Sequence, residues 1–330
     1  MLKIAINGFG RVGRAAFKIA LAQKNIQIAA VNDLVDIENL AYLLKFDSAY
    51  GRFGKSVKVS GKNLIINGKK IPFYSVKNPA ELPWKKHKID VALECTGVFT
   101  KKNQVEKHLK AGAKKVLLSA PIKSKGVKTV IRGVNDQDVG SEKILANASC
   151  TTNCAAPIMH VLQQRFGVKK ALLTTIHAAT ASQKPVDLAH SKDFRRGRSA
   201  LNNIIPTTTG AAKATAKVLP ELKEKFNGLA VRVPVVTGSL VDIVVLLSQS
   251  VSEKELKQVF IKKSKSRNLK GILQVTEEEM VSSDIVGTTG SAIVDLKSIK
   301  VVGGDLVKVM AWYDNEWGYA QRLVEMAVKM

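Results

Sequence analysis

Leu2-Lys3-Ile4-Ala5-Ile6-Asn7-Gly8-Phe9-Gly10-Arg11-Val12-Gly13 is the stretch that decides the fold of the first half of this 330-residue chain. Its first six residues form a short apolar run of strand type, and the Ala-rich segment from Arg14 to Ala22 reads as a helix. Between them the glycines have separate uses. Gly8 permits a tight turn, Gly10 lets the backbone approach a pyrophosphate, and Gly13 allows the helix to pack closely. A pyrophosphate would then rest on the amide-lined N-terminus of that helix. Glycine-rich turns are common, so the context matters. A second strand, Ile26 to Val31, ends at Asn32-Asp33, which places the Asp33 carboxylate where it would bind a ribose and repel a 2′-phosphate. NAD is therefore expected rather than NADP.

Further strands are expected at Val91–Cys95, Lys115–Ser119 and Thr129–Ile131, with a helix at Lys102–Ala111. Such alternation implies an α/β fold with a doubly wound parallel sheet. Thr96 and Ser119 fall at carboxyl ends of strands, where open α/β sheets bind ligands. Cys95 reads as a buried small hydrophobe, and His87 and His108 as members of Lys-rich surface segments.

A strand over Lys143–Ala148 leads into Ser149-Cys150-Thr151-Thr152-Asn153-Cys154 and then into a helix with Ile158, Val161, Leu162 and Phe166 near one face. Ser149 suits an N-cap, which puts Cys150 in the first helical turn. The positive end of the helix is expected to lower the thiol pKa, as a nucleophilic cysteine requires. His177 closes the strand Ala171–Ile176 and is the expected base. Arg196, within Arg195-Arg196-Gly197-Arg198, and Thr209 and Gly210 ahead of a helix at Ala211 suggest an anion pocket. Arg232 is a charge inside an apolar strand, costly unless it meets an anion. The i, i+4 pair Cys150 and Cys154 lacks further ligands for a metal, and none is expected.

Lys and Arg total 52 against 27 Asp and Glu, a net charge of +25. The lysines are spread along the chain and aromatics are only 5%, so a solvated basic surface is favoured over a nucleic-acid site. Three cysteines make no disulfide framework, nothing after Met1 reads as a signal peptide, and Asp242 interrupts the longest apolar run. A cytoplasmic protein without membrane contact is the expectation.

Four segments in order resemble phosphorylating glyceraldehyde-3-phosphate dehydrogenase. They are Asn7-Gly8-Phe9-Gly10-Arg11-Val12-Gly13-Arg14, Ser149-Cys150-Thr151-Thr152-Asn153-Cys154, the run from Pro206 through Thr209 and Gly210 to Lys213, and the run from Trp312 through Asn315 to Tyr319. The resemblance implies a glycolytic homotetramer with a Rossmann NAD domain at 1–149 and an α+β catalytic domain with a mostly antiparallel sheet at 150–317. A final helix at about 318–330 would pack back on the NAD domain. It further implies Cys150 as nucleophile and His177 as base, with Thr180 and Arg232 binding the C3 phosphate of glyceraldehyde 3-phosphate. Ser149, Thr151, Arg196, Thr209 and Gly210 would bind inorganic phosphate. Gly8, Gly10, Arg11, Val12, Asp33, Thr96, Ser119 and Asn315 would contact NAD. The chain departs from the family pattern at Ala181-Ser182 and at Ala189. The rivals are erythrose-4-phosphate dehydrogenase and a basic nucleic-acid-binding role.

Overall fold

Leu2–Asn7 forms the first strand, β1, at the centre of a nine-stranded sheet, and Arg11–Leu21 forms helix α1 directly after the glycine turn. The computed structural model describes every residue except 138, 140 and 192. The chain divides into two compact units. Unit 1 comprises Met1–Val130, Asp136–Ser149 and Ala320–Met330; unit 2 comprises Ile131–Asn135 and Cys150–Tyr319.

In unit 1, β2 (Ile26–Asn32) is followed by α2 (Ile37–Lys45) and a two-stranded ribbon, β3 (Phe46–Asp47) with β4 (Gly51–Arg52). Then come β5 (Val57–Ser60), β6 (Asn63–Ile66), β7 (Lys69–Tyr74), α3 (Trp84–His87), β8 (Val91–Glu94), α4 (Lys102–Lys110), β9 (Lys115–Leu118), β10 (Lys128–Thr129) and β11 (Ile144–Ala146). The sheet order is β10-β11-β9-β8-β1-β2-β7-β6-β5. All pairs from β10 to β7 are parallel, and the β7-β6-β5 edge is antiparallel. The order reverses beside β1, which is where ligands bind in such sheets. Ile4, Ala5, Ile6, Ala92 and Leu93 are fully buried, as strands covered on both faces must be.

Unit 2 opens with α5 (Cys150–Phe166), followed by β12 (Val168–Ala178), β13 (Ile205–Thr208), α6 (Ala211–Val218), β14 (Phe226–Val233) and β15 (Ser239–Leu247). After these come α7 (Glu253–Ser264), β16 (Leu273–Thr276), β17 (Ala292–Asp295), β18 (Lys300–Val302) and β19 (Leu306–Tyr313). Their eight-stranded sheet runs β13-β14-β12-β15-β19-β17-β16, with β18 also on β19. It is mostly antiparallel; only β12–β14 and β16–β17 are parallel. Along β15 buried and half-buried residues alternate strictly, the pattern of a sheet with one face on the core. Helix α5 is buried on nearly all sides, and Ile158, Val161, Leu162 and Phe166 are all in the core.

The last helix, α8 (Trp317–Lys329), starts in unit 2, and the residues from Ala320 onward belong to unit 1. There Lys329 pairs with Asp136 at 2.7 Å, and the Lys115 ammonium donates to the Met330 carbonyl. Among the described residues no helix is long and apolar enough to cross a membrane.

Three local expectations change. The strand expected to reach Ala148 stops at Ala146, because Ala148 takes a left-handed conformation, φ +53°, just ahead of Ser149 and Cys150. That conformation is costly for a residue with a Cβ and persists only where surrounding structure enforces it. Cys95 lies one residue beyond β8 and is half-buried, rather than sealed inside the strand. His108 is fully buried, since Val105 and His108, three apart, share the inward face of α4 while Lys102 and Lys110 are exposed.

Candidate functional site

In unit 1 a cavity of about 780 Å³ opens at the carboxyl ends of β1, β2 and β8, lined by Asn7, Gly8, Gly10, Asn32, Asp33 and Thr96 among others. Gly8 has φ +93°, and a Cβ there would meet the Thr96 and Cys95 backbone at 2.6–2.8 Å. A Cβ on Gly13 would lie 2.0 Å from the Gly8 carbonyl, so this glycine lets α1 dock under the turn. Gly10 faces open space with nothing within 4 Å. The first and third glycines therefore serve packing, and the second leaves backbone free for a ligand.

Asp33 accepts from the Phe9 amide at 2.6 Å and the Val35 amide at 3.0 Å. Each carboxylate oxygen keeps a further lone pair for a ribose hydroxyl. Arg11 sends its guanidinium to Asp47 at 2.8 Å and stacks over Tyr50, so what the first turn of α1 offers at Arg11 and Val12 is main-chain amide. Ser119 lies behind Cys95 and hydrogen-bonds its thiol. Burial of the sulfur pushes that thiol up to about 12, which disfavours the thiolate.

In unit 2, Cys150 begins α5 and its Sγ lies 3.4 Å from Nε2 of His177, the penultimate residue of β12. The parallel register of β12 and β14 sets His177 beside Arg232. Nδ1 of His177 lies 2.7 Å from the Ala178 carbonyl and 2.6 Å from Nη1 of Arg232. Arg232 Nη1 can only donate, and it also reaches the Ala178 carbonyl at 3.0 Å. With that carbonyl taking both donors, the ring hydrogen sits on Nδ1 and Nε2 is bare toward the sulfur, as a base needs. An Nδ1 that accepts from Arg232 instead places the hydrogen on Nε2. Burial, with the adjacent Arg232 cation, holds the ring's pKa down to about 3. Burial pushes the Cys150 thiol up, and Arg232 pulls it down. The lowering expected from the helix end is thus outweighed by the hydration a thiolate would lose. Burial works toward the neutral form of both groups, and Arg232 works toward the thiolate.

Arg232 is half-buried, and its Nε has no hydrogen-bond partner. Among the described residues no carboxylate pairs with it, so its charge is left for an anion. Arg232→Leu is expected to raise the pH midpoint of Cys150 alkylation by iodoacetamide, because the cation that favours the thiolate is gone. An unmoved midpoint would remove Arg232 from the electrostatics of the pair.

Thr180 donates its amide to Gln183 at 3.1 Å, and its hydroxyl lies 2.9 Å from that of Ser182. Ser182, at a departure from the family pattern, is thereby brought to the same spot. Arg196 reaches the Thr207 hydroxyl at 2.9 Å and Asp193 at 3.2 Å, so part of its charge is answered within its own loop. The Thr209 hydroxyl accepts from Ala211 at 3.2 Å, and Gly210, the N-cap of α6, faces open space.

Thr151 is buried, and its hydroxyl lies 2.9 Å from that of Tyr313, which also meets Thr175 at 2.9 Å. What Thr151 offers an anion is therefore its amide in the first turn of α5. Tyr313 escaped sequence reasoning although alternation along β19 turns it inward. Its ring meets that of His177 edge-on, with centroids 6.1 Å apart, and burial keeps the phenol protonated. Asn315, in unit 2, is buried, and its Oδ1 accepts from the Ser239 hydroxyl at 2.8 Å, which leaves its amide nitrogen as a donor. Cys154 is fully buried.

Two family models match the chain. One describes the NAD binding domain of glyceraldehyde 3-phosphate dehydrogenase over residues 2–102, the other its C-terminal domain over 149–315. The chain is similar to glyceraldehyde-3-phosphate dehydrogenase 1 of Bacillus cereus, 48% identical over 332 residues, covering 100% of this chain and 98% of that protein. It is likewise similar to the glyceraldehyde-3-phosphate dehydrogenase of Streptomyces coelicolor, at 48% with 99% and 98% covered. A glyceraldehyde-3-phosphate dehydrogenase 2 of Kluyveromyces marxianus stands at 46% with the same coverage.

Proposed function

Because this chain belongs to the glyceraldehyde-3-phosphate dehydrogenase family, we propose that Cys150 and His177 perform the aldehyde oxidation, with NAD held in the cavity of unit 1. The protein is an NAD-dependent oxidoreductase of glycolysis. It converts D-glyceraldehyde 3-phosphate and phosphate to 1,3-bisphosphoglycerate, with NADH as the reduced product. The observation that carries the residue assignment is the 3.4 Å approach of Cys150 Sγ to a buried His177 beside a guanidinium with no carboxylate partner among the described residues.

The cavity residues fit the cofactor: Gly10 is open, Asp33 has free lone pairs, and the start of α1 points amides at an anion. Gly8, Gly10, Asp33 and Thr96 would hold it, with Arg11 and Val12 acting through their amides and Ser119 from behind Cys95. The family resemblance adds Asn315, through its amide nitrogen. When bound, NAD supplies the hydride acceptor.

The chemistry of the chain's own residues follows from the pair. The sulfur adds to the aldehyde carbon while the thiol proton passes to Nε2 of His177, and the imidazolium returns it to the carbonyl oxygen. The hemithioacetal on Cys150 then gives that hydroxyl proton back to Nε2 as its hydride departs, which leaves a thioester. Phosphate attacks the thioester carbonyl, the Cys150 thiolate leaves, and the acyl phosphate is released. Thr180 and Arg232 bind the C3 phosphate in this reading. Ser149, the Thr151 amide, Arg196, Thr209 and Gly210 bind the attacking phosphate.

A cytoplasmic homotetramer is the assembly the family resemblance supports, and sedimentation of the purified protein tests the subunit number. Initial rates with glyceraldehyde 3-phosphate and NAD, with and without phosphate, test the reaction. Sustained NADH production is expected only with phosphate. Phosphate-independent turnover, with erythrose 4-phosphate oxidised as fast, would overturn it.

A further inference from the structure

Unit 1 contains a fully buried carboxylate that the reaction does not use. Glu94, the last residue of β8, is 0% exposed. Its Oε2 accepts from Asn7 Nδ2 at 2.6 Å and faces His108 Nε2 at 2.9 Å. Its Oε1 accepts from the Thr96 amide at 2.8 Å and from the Thr96 hydroxyl.

The state of His108 follows from its other nitrogen. Nδ1 lies 2.9 Å from Nε1 of Trp84, and an indole N–H can only donate. Nδ1 therefore carries no hydrogen, the ring is neutral, and its one hydrogen sits on Nε2, pointing at Glu94. All four groups around Glu94 are then donors, and only an ionised carboxylate satisfies them all.

The chain of bonds continues across the sheet. Asn7 Oδ1 accepts from Asn32 Nδ2 at 2.7 Å, and the Asn32 amide makes two bonds to the Val76 backbone, at 2.9 and 3.0 Å. This polar ladder crosses the carboxyl ends of β8, β1 and β2, adjacent strands of the sheet. Asn7, Asn32, Val76 and Thr96 line the cavity, while Glu94, His108 and Trp84 do not. The Thr96 hydroxyl, committed as a donor to Glu94, accepts from the Val98 amide at 3.1 Å and so shapes the turn containing Gly97.

We propose that Glu94, oriented by His108 and Trp84, is a positioning residue for the cofactor, setting Asn7 and Thr96 in their ligand-binding arrangement before NAD arrives. The inference rests on the reading of this cavity as the NAD site. A rim held by a satisfied buried network loses little freedom on binding, and that preorganisation is what Glu94 contributes to affinity. A glutamine cannot replace it, because its NH2 would face either Asn7 and His108 or the two donors of Thr96.

The test is NAD affinity of the full chain by calorimetry, well below a separately measured Tm. In Glu94→Gln the NAD Kd is expected to rise at least about ten-fold, as one buried donor pair loses its acceptor. KM for NAD should rise with it, and KM for the aldehyde should move less than about two-fold, a change too small to signal a lost contact. Should Glu94→Gln fail to fold, His108→Gln and His108→Leu carry the test. Gln keeps an N–H for Glu94 and should bind NAD more tightly than Leu. A merely structural role would lower Tm and leave Kd unchanged. Asp33→Ala separates the two failures. If it weakens NAD binding while Glu94→Gln does not, the positioning role is wrong. If Asp33→Ala also binds NAD like the wild type, the cavity is not the NAD site.

Discussion

Cys150→Ser is expected to lower aldehyde oxidation by about 10⁴-fold or more while NAD still binds, since loss of a covalent nucleophile removes the pathway itself. A serine hydroxyl at the start of α5 would stand about where the thiol stands, 3.4 Å from His177 in the present structure. Its much higher pKa leaves it without a usable anion, and an oxygen ester would replace the thioester that phosphate must attack. Neither Cys95 nor Cys154 can substitute. Burial raises the thiol pKa of both. Steady-state NADH production, with NAD titrated by fluorescence on the same preparation, reads both halves. Residual activity within about ten-fold of wild type would remove Cys150 as nucleophile.

His177→Asn is expected to lower kcat by about 10²–10⁴-fold, the usual worth of a positioned general base. The asparagine can still hydrogen-bond but cannot take the proton from sulfur or from the hemithioacetal. Its effect on stability has a definite sign. In the unfolded chain the imidazole titrates near its ordinary value of 6.5, whereas in the fold it stays neutral down to about 3. As pH falls from 6.5 toward 3 the unfolded state binds a proton that the folded state refuses, so the wild type loses stability across that window. Above 6.5 the contribution is fully present. The substituted amide has no such proton to bind. Urea midpoints of the variant should therefore decline less steeply than those of the wild type as pH falls from about 6.5 to about 4. Parallel slopes would show that His177 is not the neutral buried ring described above.

Both variants act on residues that the sequence alone singles out. Gly8, Gly10, Gly13 and Asp33 declare themselves because a strand, a turn and a helix are local events and each glycine has a steric task. Cys150 and His177 are legible for a similar reason, since each sits at a junction between elements that periodicity reveals. The sense of the Cys150 pKa shift is not. A helix end is visible in sequence, whereas the burial that outweighs it is made by segments far away along the chain.

The same limit explains His108. Its lysine neighbours argue for a surface, and only the three-residue spacing from Val105 and the approach of Trp84 and Glu94 make it interior. Tyr313 and Thr151 meet across 162 positions, so their bond has no local trace. Ala148 in a left-handed conformation is similarly a product of the fold around it, as alanine has no preference for that region. Arg232 is the reverse case. A charge within an apolar strand is a local anomaly, and it leads directly to a guanidinium whose Nε has no partner.

In the proposed reaction, oxidation passes through a thioester on Cys150. Mixing the protein with glyceraldehyde 3-phosphate and NAD in phosphate-free buffer, quenching in acid and mapping peptides by mass spectrometry tests it directly. One phosphoglyceroyl group on the peptide containing Cys150, formed with a burst of NADH and discharged when phosphate is added, is the predicted result. A burst of NADH with Cys150 unmodified, or with the acyl group on another residue, would contradict it.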